Sequence, residues 1–173
     1  MKRNFLLVPV VVFPYLILFA IVCIFSGYFM DSLFQNNALL LLFALLIFYI
    51  VALACTVVSF ITGIAKKKSG LALFRASMII KLLHIPSYVL IFIIGLLCLI
   101  TIFTFAITIV LMILDCMTIF LTGLIGLCGI IRSFKENKLS KNEAIIHGVL
   151  QFVFCADVIS SIMVYKKTKI YAI

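Results

Sequence analysis

Charge is scarce in this chain. Of its 173 residues only 11% are Asp, Glu, Lys or Arg, and only five are acidic, whereas a typical soluble domain carries about a quarter charged residues. With 67% hydrophobic residues and a mean hydropathy of +1.44, the composition suits lipid rather than water. There is no G-x-S-x-G, no H-E-x-x-H, no acidic pair of the kind used in lipid-headgroup transfer, and no Ser and His placed as a dyad. Those absences count against an intramembrane enzyme. The six cysteines, Cys23, Cys55, Cys98, Cys116, Cys128 and Cys155, stand singly in apolar runs and never as C-x-x-C. That spacing excludes a close redox pair and clustered zinc ligands, and leaves small apolar residues packed between helices. No motif calls for a metal or a cofactor.

Helix breakers are missing from the longest apolar stretch. Pro86 to Ile131 spans 46 residues with a single charge, Asp115, and has no proline or glycine between Gly95 and Gly123. A hydrocarbon core of about 30 Å takes roughly 20 helical residues to cross, so this stretch predicts two spans joined as a hairpin. We place them at about 86–107 and 109–131, with an uncharged turn near Thr104 to Thr108.

The rest of the chain is arranged around that hairpin. Residues 5–30 read as a first span. Lys2 and Arg3 ahead of it resemble the start of a secretory signal, but the apolar run is too long, no A-x-A follows, and Val22 before Cys23 does not fit a lipoprotein site. The segment is therefore expected to be retained, with Pro9 and Pro14 in its tolerant first half. Asp31 to Asn37 reads as a short extracytoplasmic loop. Residues 38–65 form a second span, where Thr56, Ser59 and Gly63 recur at helical spacing as a strip that lets another helix come close. Leu71 to Ile85, interrupted by Arg75 and Lys81 and stopped by Pro86, predicts a short helix at the cytoplasmic interface. His84, beside Lys81, is expected to be solvated there.

The net charge of +9 comes from Lys and Arg gathered in four short clusters beside apolar segments. This pattern sets membrane orientation and attracts anionic lipid headgroups; it is not a nucleic-acid stripe. The outer loops lack Lys and Arg, so the N-terminus is expected in the cytoplasm of a multi-pass protein.

After a polar linker from Arg132 to Lys141, Ser140-Lys141-Asn142-Glu143 forms a capping box that starts a helix expected over 141–165. Glu143, His147, Gln151, Phe154, Asp157 and Ser161 fall within an arc of about 120° on it. That face is acidic and neutral, which suits a bundle interior better than an anionic membrane surface. On the returning span Thr108, Asp115, Thr122, Gly126 and Gly129 share an arc of about 60°, a face that would accept a close neighbour. If the last helix crosses outward, Asp115 and Asp157 reach one depth, about 9 Å from the outer end, where facing carboxyls could share a proton or hold a cation. The plainer reading makes Asp115 polar glue between helices and gives His147 and Gln151 interhelical hydrogen bonds. Crossing would leave Lys166, Lys167 and Lys169 outside, against the positive-inside rule; a re-entrant helix would satisfy both signals in part.

The segments MKRNFLLVPVVVFPYL, KLLHIPSYVLIFIIGL and HGVLQFVFCADVISSIMVYKKTK resemble those of small, uncharacterised membrane proteins of low-GC Gram-positive bacteria, a family of unknown function. The resemblance implies a bacterial cytoplasmic membrane and supplies no catalytic residue.

The predicted fold class is all-α: one membrane domain over 1–173, an integral membrane helical bundle of four transmembrane helices plus a fifth, polar-striped C-terminal helix. The expected function is non-enzymatic: an accessory component whose small-residue faces bind a membrane-protein partner or a second copy. The alternative is a small transporter or channel-like protein that handles protons or cations through Asp115 and Asp157, with His147 and Gln151 lining the cytoplasmic approach.

Overall fold

The computed structural model describes residues 5–100 and 104–171. Lys2, Arg3 and positions 101–103 of the expected hairpin turn lie outside the described residues. A 3-10 turn, Phe5–Leu7, leads into α1 (Val8–Phe25), followed by α2 (Gly27–Phe34), α3 (Ala38–Ala65), α4 (Gly70–Leu99), α5 (Phe105–Lys135), α6 (Lys141–Leu150) and α7 (Ala156–Ile170). Four helical segments, Phe5–Phe25, Ala38–Ala65, Gly70–Leu99 and Phe105–Lys135, are long and apolar enough to cross a membrane.

Without a hydrophobic drive between helices in lipid, close packing and small residues hold such a bundle together. Phe13 of α1 stacks on Phe48 of α3, centroids 6.4 Å apart, and meets Tyr49 at 5.5 Å. Around it Val10, Ile17, Ala52, Ile80, Ile91, Leu121 and Ile125 bring α1, α3, α4 and α5 into one core. The strip on α3 is used within the chain: Thr56 is buried, and a Cβ on Gly63 would lie 2.7 Å from Cys128 Sγ of α5.

The α4–α5 hairpin has a fixed antiparallel register. At one end a Cβ on Gly70 would lie 2.1 Å from Ser133 Oγ, and Phe74 lies over Gly129. At the other, Thr108 donates its hydroxyl proton to the Gly95 carbonyl (3.2 Å) and Thr104 to the Cys98 carbonyl (2.8 Å). Gly70 N–H donates to Glu136 (2.9 Å) and Arg132 Nε donates to the Lys68 carbonyl (2.9 Å), clamping the basic end of the bundle.

Four boundaries differ from the sequence reading. Asp31 to Phe34 belong to α2 rather than to a loop; the chain reverses at Gln35 and Asn36, both at positive φ (51° and 54°), and Asn37 caps α3 by accepting from Leu39 N–H at 2.9 Å. No separate interfacial helix precedes Pro86: α4 runs unbroken from Gly70 to Leu99. Proline removes one donor, but in apolar surroundings the backbone is best satisfied inside a helix. Hydroxyls support the kink region, Tyr15 Oη donating to the Leu83 carbonyl (2.5 Å) and Ser87 Oγ to the His84 carbonyl (2.8 Å). The hairpin turn precedes Phe105, so Thr108 is already inside α5.

The fourth difference concerns the C-terminal segment. The capping box forms as expected, Glu143 N–H meeting Ser140 Oγ and Ser140 N–H meeting the Glu143 carboxylate at 3.0 Å. The helix then breaks between Leu150 and Ala156, with Cys155 at φ 62°, instead of continuing to 165. Helices α6 and α7 fold back on each other: Glu143 pairs with Lys167, and His147 Nδ1 lies 2.9 Å from Ser160 Oγ. Ten and fifteen residues make helices of about 15 and 22 Å, too short to cross a 30 Å core singly. Lys166, Lys167 and Lys169 thereby return to the end at which α6 began.

Candidate functional site

The hairpin made by α6 and α7 drives its tip into the side of the bundle, and small residues make the room. A Cβ on Gly126 of α5 would sit 2.0 Å from Gln151 Oε1, and one on Gly123 would sit 2.6 Å from the Phe152 ring and 3.0 Å from the Gln151 carbonyl. The face of Thr108, Thr122, Gly126 and Gly129 is therefore filled from within the chain. Gln151 covers Gly126, Phe74 covers Gly129, Thr108 bonds Gly95, and Thr122 is buried with its hydroxyl on the Ile119 carbonyl.

Opposite the tip, α4 supplies a buried cation. Lys81 is 0% exposed; its Nζ lies 3.1 Å from Asp157 Oδ2 and donates to Gln151 Oε1 at 2.6 Å. Gln151 in turn donates to Ser160 Oγ (3.1 Å) and accepts from Ser161 Oγ (3.1 Å). A buried charge is tolerated when it is paired and hydrogen-bonded: the Lys81 ammonium bonds Gln151 and the Asp157 carbonyl, and Asp157 Oδ2 is held by charge contact with it, short of hydrogen-bond geometry. The structure thus gathers three of the candidates, His147, Gln151 and Asp157, into one network. It gives Asp157 a lysine as partner, and Asp115 is not in the network. The expected carboxylate pair does not form, because the broken helix presents Asp157 to α4.

His84 is also corrected: it is fully buried, not solvated. Its two ring nitrogens have no hydrogen-bond partner; the ring faces the Val10 and Val11 carbonyls without reaching bonding geometry. Pro14 leaves the Val10 carbonyl without its usual helical donor, so this corner is polar on both helices. Tyr88, 5.7 Å from His84 ring to ring, carries a buried hydroxyl directed toward Thr122, also short of a hydrogen bond. The sequence reading missed Lys81, His84 and Tyr88. With Ser77 they recur at helical spacing on one arc of about 60° of α4, a signal hidden by dividing that helix at Pro86.

Asp115 sits apart from the network, at the level of Tyr88: Tyr88 is seven residues before Gly95, and Asp115 seven after Thr108. Its Oδ1 is buried and has no hydrogen-bond partner. The residue lines a cavity of about 300 Å³ between the halves of α4 and α5 farther from the basic end, with Ile91, Gly95, Met112, Cys116 and Phe154 among its walls. Gly95 keeps that cavity open, since nothing lies within 4 Å of where its Cβ would be. A second cavity of about 290 Å³, walled by Tyr88, Phe92, Phe154 and Cys155, adjoins it along the same side of α4. Phe92 and Phe154 wall both, so the two make one lateral groove.

At the basic end electrostatics are ordinary. The Lys167 ammonium, then the Ser140 N–H and hydroxyl, hold the Glu143 carboxyl down at about 2. Burial pushes the His147 imidazole below its usual range.

A helical chain with four helices fit to cross a bilayer, and a buried ion pair locking a helical hairpin to them, has the architecture of a membrane protein. The chain belongs to a family of unknown function, DUF6652, whose profile matches residues 1–170. No curated protein and no solved structure matches it.

Proposed function

We propose that this protein is a non-enzymatic, multi-pass component of a bacterial cytoplasmic membrane, and that it acts by binding a membrane partner at the lateral groove between α4 and α5. Asp115 carries this reading. It is the one acid within the four long helices, its Oδ1 is unpartnered, and it lies in a groove whose other walls are almost entirely apolar. An ionisable group inside a span costs at least about 2.5 kcal/mol unless protein or water meets it. No group among the described residues does so, and a partner would.

The basic end faces the cytoplasm in this proposal, with the N-terminus on the same side and anionic headgroups around Lys66, Lys67, Lys138 and Lys167. The small-residue faces are occupied internally, which moves the binding surface from Thr108, Thr122, Gly126 and Gly129 to the groove. Proton or cation handling by Asp115 and Asp157 has less support, since Lys81 already neutralises Asp157.

The test is photo-crosslinking in intact membranes from Met112, which is 62% exposed and lines the groove, against Ile50, 56% exposed on α3. A discrete protein adduct from Met112 that is absent at Ile50 and lost in Asp115→Asn supports the proposal. Lipid adducts alone at both positions refute it.

A further inference from the structure

The groove also constrains the chemistry of whatever fills it. Asp115 lies ten residues into α5, about 15 Å from the start of that helix. Arg132 at the basic end lies seventeen residues, about 26 Å, the other way, so Asp115 falls in the outer half of a hydrocarbon core of about 30 Å, where acyl chains carry no donor. A donor for Asp115 is therefore borne within the span of another helix. A second copy of this chain has no cation to offer there among its described residues: Lys81 is buried against Asp157, and Arg75, Arg132 and Lys135 lie near the basic end. Tyr88 borders the same groove, its hydroxyl turned inward toward Thr122. Tyr88 is 6% exposed, its hydroxyl is unpartnered, and it walls the adjoining cavity.

We infer that the groove between α4 and α5 receives a transmembrane helix of another protein that carries a lysine or arginine within its span, its cation meeting the Asp115 carboxylate. This rests on the partner-binding reading and adds the partner's chemistry. The apolar walls Ile91, Phe92, Leu96 and Met112 suit the hydrocarbon side chains flanking that cation, and a carboxylate and a cation meeting in low dielectric attract far more strongly than in water.

Cys116 makes the inference testable without knowing the partner. It is exposed and lines the groove beside Asp115. The full chain, carrying Cys55→Ser and Cys155→Ser, is reconstituted in phosphatidylcholine vesicles with synthetic Leu/Ala-rich transmembrane peptides. Each peptide has one cysteine four residues from a central Lys or a central Leu, and mixed disulfides with Cys116 are quantified under mild oxidation. We expect the Lys peptide to be captured at least fivefold better than the Leu peptide. Asp115→Asn should abolish that preference. Equal capture of both peptides overturns the charge recognition while leaving a helix-binding groove. Capture of neither peptide, with Cys116 still alkylated by a membrane-permeant maleimide, overturns this inference and the partner-binding reading together.

Discussion

Removing one member of the Lys81–Asp157 pair should release the C-terminal hairpin from the bundle. Asp157→Leu leaves a fully buried ammonium with only Gln151 Oε1 and the residue-157 carbonyl, 3.3 Å away, as acceptors. Breaking a buried pair from one side costs about 3–5 kcal/mol, which is two to nearly four powers of ten in the docked-to-undocked ratio. Lys81→Met should cost a similar amount. The double variant, with two apolar side chains of comparable volume, should recover most of the loss, giving a coupling of at least about 3 kcal/mol. A reporter is available at Val164, which is 1% exposed in the cluster with Phe74 and Ile130 and reaches solvent only when the hairpin leaves. Maleimide modification of Val164→Cys, in a chain whose other exposed cysteines are serine, measures that opening. Strict additivity of the two single variants, or modification no faster than in the parent chain, would refute the assignment of the pair as the latch.

Further outcomes follow from the same packing. Gly126→Ala places a Cβ 2.0 Å from Gln151 Oε1, and the displacement should weaken hairpin docking by about 1–3 kcal/mol in the Val164→Cys assay. Ser140→Ala removes the cap of α6 and should cost about 1 kcal/mol, seen as faster hydrogen exchange in its first turn. Glu143, held at about 2 against an ordinary 4.5 by Lys167 and Ser140, contributes stability that is fully present above about pH 4.5 and lost as pH falls toward 2. The Tm difference between the parent and Glu143→Gln should accordingly be constant above pH 5 and shrink toward zero near pH 2.

Much of this architecture is readable from hydropathy. Lipid forces backbone groups to bond within their own segment, so the apolar length at 38–65 becomes a helix with those bounds and that at 109–131 becomes one four residues longer at each end. The capping box at Ser140 and Glu143 is equally local and forms as read. The division of α4 has one cause, the treatment of local breakers and charges as boundaries. Pro86 and Lys81 look like the edge of a membrane helix, yet both lie inside α4, because Asp157 neutralises the lysine and the Tyr15 and Ser87 hydroxyls support the carbonyls before the proline. Conversely, Gln151 to Cys155 contains no glycine or proline, and nothing local announces a turn there. That break follows from tertiary fit, since Gly123 and Gly126 leave a notch that the hairpin tip fills. The polar stripe from Glu143 to Ser161 was legible as an inward face; its partner on α4 was legible too, at 77, 81, 84 and 88, once that helix is taken as continuous.

The most direct test of the account is the side of the membrane reached by each end of the C-terminal hairpin. Single cysteines replacing Asn142 and Tyr171, both exposed, in an otherwise cysteine-free chain can be challenged with an impermeant maleimide in intact cells and again after lysis. The folded-back hairpin predicts that both sites behave alike, protected until the cells are opened. Protection of Asn142→Cys with labelling of Tyr171→Cys from outside would mean that the segment crosses the membrane, and would contradict the hairpin and the Lys81–Asp157 latch together.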